Sequence, residues 1–267
     1  MARRFFTIAA ALLAFPACDT QWARVLALHG QAEPGSSISA LHLAAFDGDL
    51  GALKTQLASG ADPNVRDARG LTPLHIAATA EAIRALVAAG ARTDLRDEML
   101  LTPLHLARSA AAARALIELG ASIHARNRYN WTALHTAVIL GREDVVSALL
   151  EAGAEIDARA RNAMTPLHWA ALRGRAEIAK RLLARGADLE ARDRYGCTPL
   201  HLATDAGSAA LLLEAGANLE ARDANGMTPL HLARDERVAD VLLRAGANAL
   251  ARDHSGRSPL DMVVPQE

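Results

Sequence analysis

Ten histidines stand out in this 267-residue chain, because imidazole is the side chain most often used for proton transfer and metal binding near neutral pH. Seven of them, His42, His75, His105, His135, His168, His201 and His231, take the fourth place of a recurring hexapeptide. Its copies begin at Ser39, Thr72, Thr102, Thr132, Thr165, Thr198 and Thr228, and a worn copy at Ser258 carries Asp261 where the histidine would stand. Histidines one per unit and a unit apart do not converge on one zinc, whose nitrogen ligands must lie within about 2.1 Å of it. The chain has no His-Glu-x-x-His, no paired Cys-x-x-Cys, no phosphate-binding glycine loop and no Gly-x-Ser-x-Gly elbow. No catalytic residue, metal or cofactor is therefore assigned, and the chain is read as a non-enzyme.

Each part of the hexapeptide has a helix-starting role. Thr or Ser can accept from an early helical N–H, Pro fits the first helical position, and Leu turns inward. His sits where Glu or Gln would close a capping box, and can reach back in the same way. A second helix follows and ends before a glycine, at positions 60, 90, 120, 153, 186, 216 and 246. Segments with turn chemistry, such as 192–196 and 222–226, lead into the next copy, so the unit is turn, helix, helix. The starts are separated by 33, 30, 30, 33, 33, 30 and 30 residues, the mark of a stacked repeat architecture. Repeats starting at 39, 132 and 165 are full length, with Gly48, Gly141 and Gly174 between the helices, whereas those at 72, 102, 198 and 228 lack three residues there. Three residues are about one helical turn, so the ridge of inter-helix corners should be notched, with Thr79, Ser109, Asp205 and Asp235 capping the second helices.

This pattern resembles the ankyrin repeat from residue 39 to about 267. The resemblance implies an all-α repeat solenoid of about seven repeats plus a degenerate C-terminal cap at 258, elongated and slightly curved. It also implies protruding β-turn fingers, used mainly to hold other proteins. A formal net charge of −1 gives no electrostatic case for nucleic acid, and aromatics are only 3% of residues. The chain is taken as a monomer.

The start of the chain differs. Arg3 and Arg4 precede an apolar run from Phe5 to Phe15 broken only by Thr7, then Pro16, Ala17 and Cys18. A basic start and an apolar stretch too short for a membrane span resemble a bacterial secretory signal over residues 1–17. The cysteine after it resembles that of a lipoprotein, with Cys18 the lipidated residue and the protein held on the periplasmic side of the cell envelope. Residues 18–38 read as a linker and N-terminal capping segment, and 39–267 as the repeat domain. An apolar tail on a cytoplasmic protein is the alternative. Cys197 has no partner if Cys18 is lipidated, and it fills a turn-flank position held elsewhere by Leu71, Leu101, Trp131, Met164 and Met227, which points to packing.

By the resemblance, a partner contacts finger tips and the exposed face of first helices. The candidates are Arg128, Tyr129 and Trp131, then Arg161 and Met164, then Arg194 and Tyr195, joined by Ile139, Leu140, Leu172 and Arg173 on the first helices. Tyr, Trp and Arg concentrate in the middle of the array, and those types are enriched in interface hot spots. Trp131, Met164, Ile139 and Leu140 have a packing alternative, and Trp169 reads as core. A second column, Arg66, Arg96, Arg126, Arg159, Arg192, Arg222 and Arg252, precedes the turns. It reads as structural or solvated, with an acidic partner or anionic surface as the alternative. The expected role is a non-enzymatic protein-binding module, a scaffold or inhibitor at the envelope; a secreted protein acting on a foreign or host cell and a cytoplasmic adaptor are the alternatives.

Overall fold

The computed structural model describes residues 38–262. The signal-peptide, linker and Cys18 readings lie outside the described residues. Helices follow in pairs: α1 Ala40–Asp47 and α2 Leu50–Ala58; α3 Pro73–Ile76 and α4 Ala80–Ala88; α5 Pro103–Leu106 and α6 Ala110–Glu118. Next come α7 Ala133–Ile139 and α8 Glu143–Glu151, then α9 Pro166–Leu172 and α10 Ala176–Ala184. A 3-10 turn at Pro199–Leu202 precedes α11 Ala206–Glu214, α12 Pro229–Leu232 precedes α13 Glu236–Arg244, and a 3-10 turn at Pro259–Met262 ends the series. Among the described residues there is no strand.

The stack is held by one hydrophobic core running from Leu41 to Leu242. Each second helix contributes large residues from one stripe, such as Leu53, Ile83, Leu116, Leu149, Ile178, Leu212 and Leu242, all at most 1% exposed. Between them lie fully buried alanines, including Ala45, Ala82, Ala112, Ala170, Ala179 and Ala209. Ala favours helix and lets backbones approach closely, so neighbouring repeats pack with few large side chains.

The two repeat lengths produce the expected notches. First helices span 8, 7 and 7 residues in the full-length repeats, against 4 residues in each of the short ones. In the short repeats Thr79, Ser109, Asp205 and Asp235 do cap the second helices, accepting from the N–H groups of Ala82, Ala112, Ser208 and Arg237 at 2.8–3.2 Å. Side chains from other repeats serve several of the helix ends that border the notches. Arg142 Nη1 donates to the carbonyls of Leu106 and Ala107 at 2.8 and 2.6 Å. Arg108 lies over the Phe46 ring, 4.4 Å from its centroid. Thr204 Oγ1 donates to the Leu172 carbonyl at 3.2 Å.

Each finger is a tight turn closed by a residue with positive φ. Four of these residues are glycines, Gly70, Gly196, Gly226 and Gly256, with φ between 74° and 78°. The second, third and fourth fingers instead use Leu100, Asn130 and Ala163, at φ 60°, 63° and 62°. A side chain in this region costs roughly 1–2 kcal/mol, least for Asn. Ala163→Gly should therefore raise the unfolding free energy by about 1 kcal/mol, the relieved strain exceeding the entropy that glycine adds to the unfolded chain. Gly196→Ala should lower it, since the new Cβ would also stand 2.8 Å from the Ala224 nitrogen. Urea unfolding of both variants reads the two signs.

Candidate partner-binding surface

The fingers are positioned by three sets of bonds. Within every finger but the one led by Ala160, the leading Asp or Asn accepts from the N–H groups two and four residues on. Asp67 Oδ1 binds Arg69 N and Leu71 N at 2.9 and 2.8 Å, and Asn127 Oδ1 binds Tyr129 N and Trp131 N, both at 2.9 Å. Between fingers, one main-chain bond joins each to the next: Arg128 N to Met99 O, Arg161 N to Tyr129 O, and Arg194 N to Asn162 O, at 2.9–3.0 Å. Beneath them, each motif histidine joins its own repeat to the following finger.

That histidine bridge recurs seven times. Nδ1 of His75 accepts from Thr72 N–H at 3.1 Å, closing the capping box, while Nε2 donates to the Leu101 carbonyl at 3.1 Å. The forward acceptors of His42, His105, His135, His168, His201 and His231 are the carbonyls of Leu71, Trp131, Met164, Cys197, Met227 and Arg257, at 3.0–3.3 Å. A carbonyl only accepts, so Nε2 carries the proton, and because Nδ1 accepts from the Thr72 N–H the His75 ring is neutral. Burial then holds His75, His105, His135 and His168 at about 4, well below the ordinary imidazole value. In the last copy Asp261 accepts from Ser258 N and Oγ at 2.7 and 2.8 Å, which restores the backward half of the box.

The pre-turn arginines form a structural ladder. Nη1 of Arg66, Arg96, Arg126, Arg159, Arg192 and Arg222 donates to the carbonyl of the next arginine in the column, at 2.6–2.9 Å. The neighbouring carboxylates are occupied by turn N–H groups, and burial raises Asp97 and Asp193 above the usual carboxylate value.

The proposed contact residues divide by depth. Arg128, Arg161 and Arg194 are exposed at the tips, and Tyr129 and Tyr195 are half-buried beside them. Leu140, Leu172 and Arg173 are partly exposed at the ends of the full-length first helices. Trp131, Ile139 and Met164 are corrected: they are 5%, 3% and 0% exposed and belong to the core. The reason is the histidine bridge, which draws the flank residue's backbone inward and tucks its side chain under the finger. Ile139 packs likewise on the inner side of α7. Tyr129, Trp131 and Trp169 form one aromatic run, with ring centroids 5.0 and 5.3 Å apart. Cys197 is buried too, and burial pushes its thiol pKa up, so packing is its role.

Sequence reasoning passed over Leu100 and Asn130. Leu100 is 41% exposed on its finger, and Asn130 Nδ2 donates to the Arg159 carbonyl at 2.9 Å. The signal was present as the missing glycine in the fourth place of the turn.

Family models for ankyrin repeats match this chain over residues 41–127, 109–160 and 149–203, and a single-repeat model matches 195–224 and 225–254. The crystal structure of the human ASB11 ankyrin repeat domain superposes with a TM-score of 0.71 at 32% identity, covering 79% of this chain and 99% of that one. The chain is an ankyrin repeat protein. The ankyrin repeat domain of Bcl-3, described as a unique member of the IkappaB protein family, is also similar, with a TM-score of 0.63, 32% identity, and coverage of 79% and 100%. No curated protein matches the ankyrin chain. Ankyrin repeat domains are, as a family, non-enzymatic modules of protein–protein interaction, and the fold described here is theirs.

The bridge carries a pH dependence with a definite sign. A buried imidazole with a depressed pKa binds fewer protons folded than unfolded, so its stabilisation is complete above about 6.5 and is lost as pH falls towards about 4. The raised carboxyls of Asp97 and Asp193 work in the opposite direction. The urea midpoint of this ankyrin protein should therefore fall steeply between pH 6.5 and 4.5. His105→Asn should flatten that fall while lowering stability at pH 7.

Proposed function

We propose that this ankyrin repeat protein is a scaffold or inhibitor that grips another protein across the tips of its central fingers and the adjoining ends of its full-length first helices. The observation that carries the reading is the row of exposed arginines and half-buried tyrosines at Arg128, Tyr129, Arg161, Arg194 and Tyr195, on fingers bonded rigidly to one another. Tyr and Arg offer large contact areas and several donors on a preorganised support. Leu140, Leu172 and Arg173 extend the contact onto the helix ends.

The test is capture from crosslinked cells of the source organism, comparing the native chain with a Tyr129→Ala, Tyr195→Ala variant. The tyrosines are the informative positions, since truncating the buried Trp131 would cost roughly 3–5 kcal/mol of stability. One protein captured by the native form and lost from a folded variant is the expected result; the same protein captured by both would move the site elsewhere.

We further propose that the repeat stack is tethered to the cell envelope through Cys18. Support comes from the sequence, in the basic start, the short apolar run and the cysteine that follows it. Cys18→Ala should shift the protein out of the membrane fraction on cell fractionation. An unchanged distribution would remove the anchor, with release into the medium or an intact cytosolic chain as the remaining readings.

A further inference from the structure

The chain carries two arginine columns with different fates. The pre-turn column spends its guanidiniums on the carbonyls of the next repeat, and Arg126 also pairs with Glu155 at 3.3 Å. The tip column exists in only three consecutive fingers, at Arg128, Arg161 and Arg194, where the other fingers have Ala68, Glu98, Ala224 and His254. All three are exposed. Arg128 Nη2 donates to the Glu98 carbonyl at 2.6 Å, and Arg194 lies 5.8 Å from the centroid of the Tyr195 ring.

The same fingers have lost acidic residues. The leading Asp of the turn is Asn127 in one and Ala160 in the next, leaving Asp193 as the single carboxylate against six arginines across 126–130, 159–163 and 192–196. That carboxylate is buried and accepts from Tyr195 N and Cys197 N at 2.8 and 2.9 Å. A chain with a formal net charge of −1 thus concentrates positive charge on three adjacent tips.

We infer that these tips bind an acidic, extended protein segment, with its carboxylates on Arg128, Arg161 and Arg194 and its apolar side chains against Tyr129 and Tyr195. This rests on the tip-binding reading above and adds the chemistry of the partner. The fork of a guanidinium matches a carboxylate bidentately, and three guanidiniums in register on bonded fingers set a repeating spacing that an extended chain can follow. A nucleic acid is disfavoured because the positive stretch ends at Glu98 on one side and Ala224 on the other, whereas a phosphate backbone rewards a longer basic track.

Fluorescence anisotropy on the full-length protein tests this with a labelled peptide of alternating Glu and Ala, its Gln counterpart, single-stranded DNA and phosphatidylglycerol vesicles. The Glu peptide should bind tightest and weaken with added salt. Its affinity should fall at least about tenfold in Arg128→Glu, Arg161→Glu, Arg194→Glu. It should stay nearly unchanged in Lys54→Glu, Lys180→Glu, Arg185→Glu, which moves the same charge at exposed positions on α2, on α10 and at the end of α10. Should the triple tip variant fail to fold, Arg161→Glu alone reads the same loss. Equal binding of the Glu and Gln peptides, equal loss in both variants, or tighter binding of DNA or vesicles overturns the acidic-segment proposal. If that happens while crosslinked capture still depends on Tyr129 and Tyr195, only the partner chemistry falls; if capture is also insensitive to them, the tip-binding reading falls with it.

Discussion

The buried histidine bridge is the constraint on which the rest of this protein depends. One neutral ring closes the start of its own helix through Nδ1 and holds the following finger through Nε2, with both nitrogens satisfied in an interior where an unmet polar group would cost about 1–3 kcal/mol. Because the bond spans 26 or 29 residues, it converts a local helix cap into a contact between repeats. Each of the seven motif histidines is engaged in this way, joining its own repeat to the next.

From that bridge follow the fixed height of the fingers and the burial of the flank residues. With the flank carbonyl held by imidazole, Leu71, Trp131, Met164, Cys197 and Met227 are buried under the finger, and Leu101 and Arg257 are half-buried there. The pre-turn arginines brace the opposite side of the same joint. The finger turns vary along the array: the second to fourth give up glycine for Leu100, Asn130 and Ala163, and the third and fourth give up the turn aspartate at Asn127 and Ala160. In a quasi-one-dimensional stack such local departures are carried by neighbouring repeats, so the centre can specialise without changing the architecture.

Much of the fold was legible because its rules are local. Caps such as Thr79 and Asp205, the helix-ending glycines with φ between 85° and 98°, and the shortened first helices all follow from preferences acting within one turn of chain. The tip arginines and tyrosines were legible for the same reason, since a turn residue's exposure is set by the turn. Trp131, Ile139 and Met164 misled because aromatic and apolar types suit an interface and a core equally well, and nothing near them in sequence distinguishes the two.

By itself, then, the sequence determined the repeat unit, its two lengths, its family resemblance and the residues that crowd the central fingers. Tertiary structure alone decided which of those residues are exposed and which hold the stack together. It separated two arginine columns of identical chemistry, because the pre-turn guanidiniums bond the next rung's carbonyl repeat after repeat, whereas on the tips Arg128 bonds the Glu98 carbonyl and Arg194 lies near the Tyr195 ring. Depth and partnership are properties of contacts between repeats, and no rule acting within a single repeat contains them.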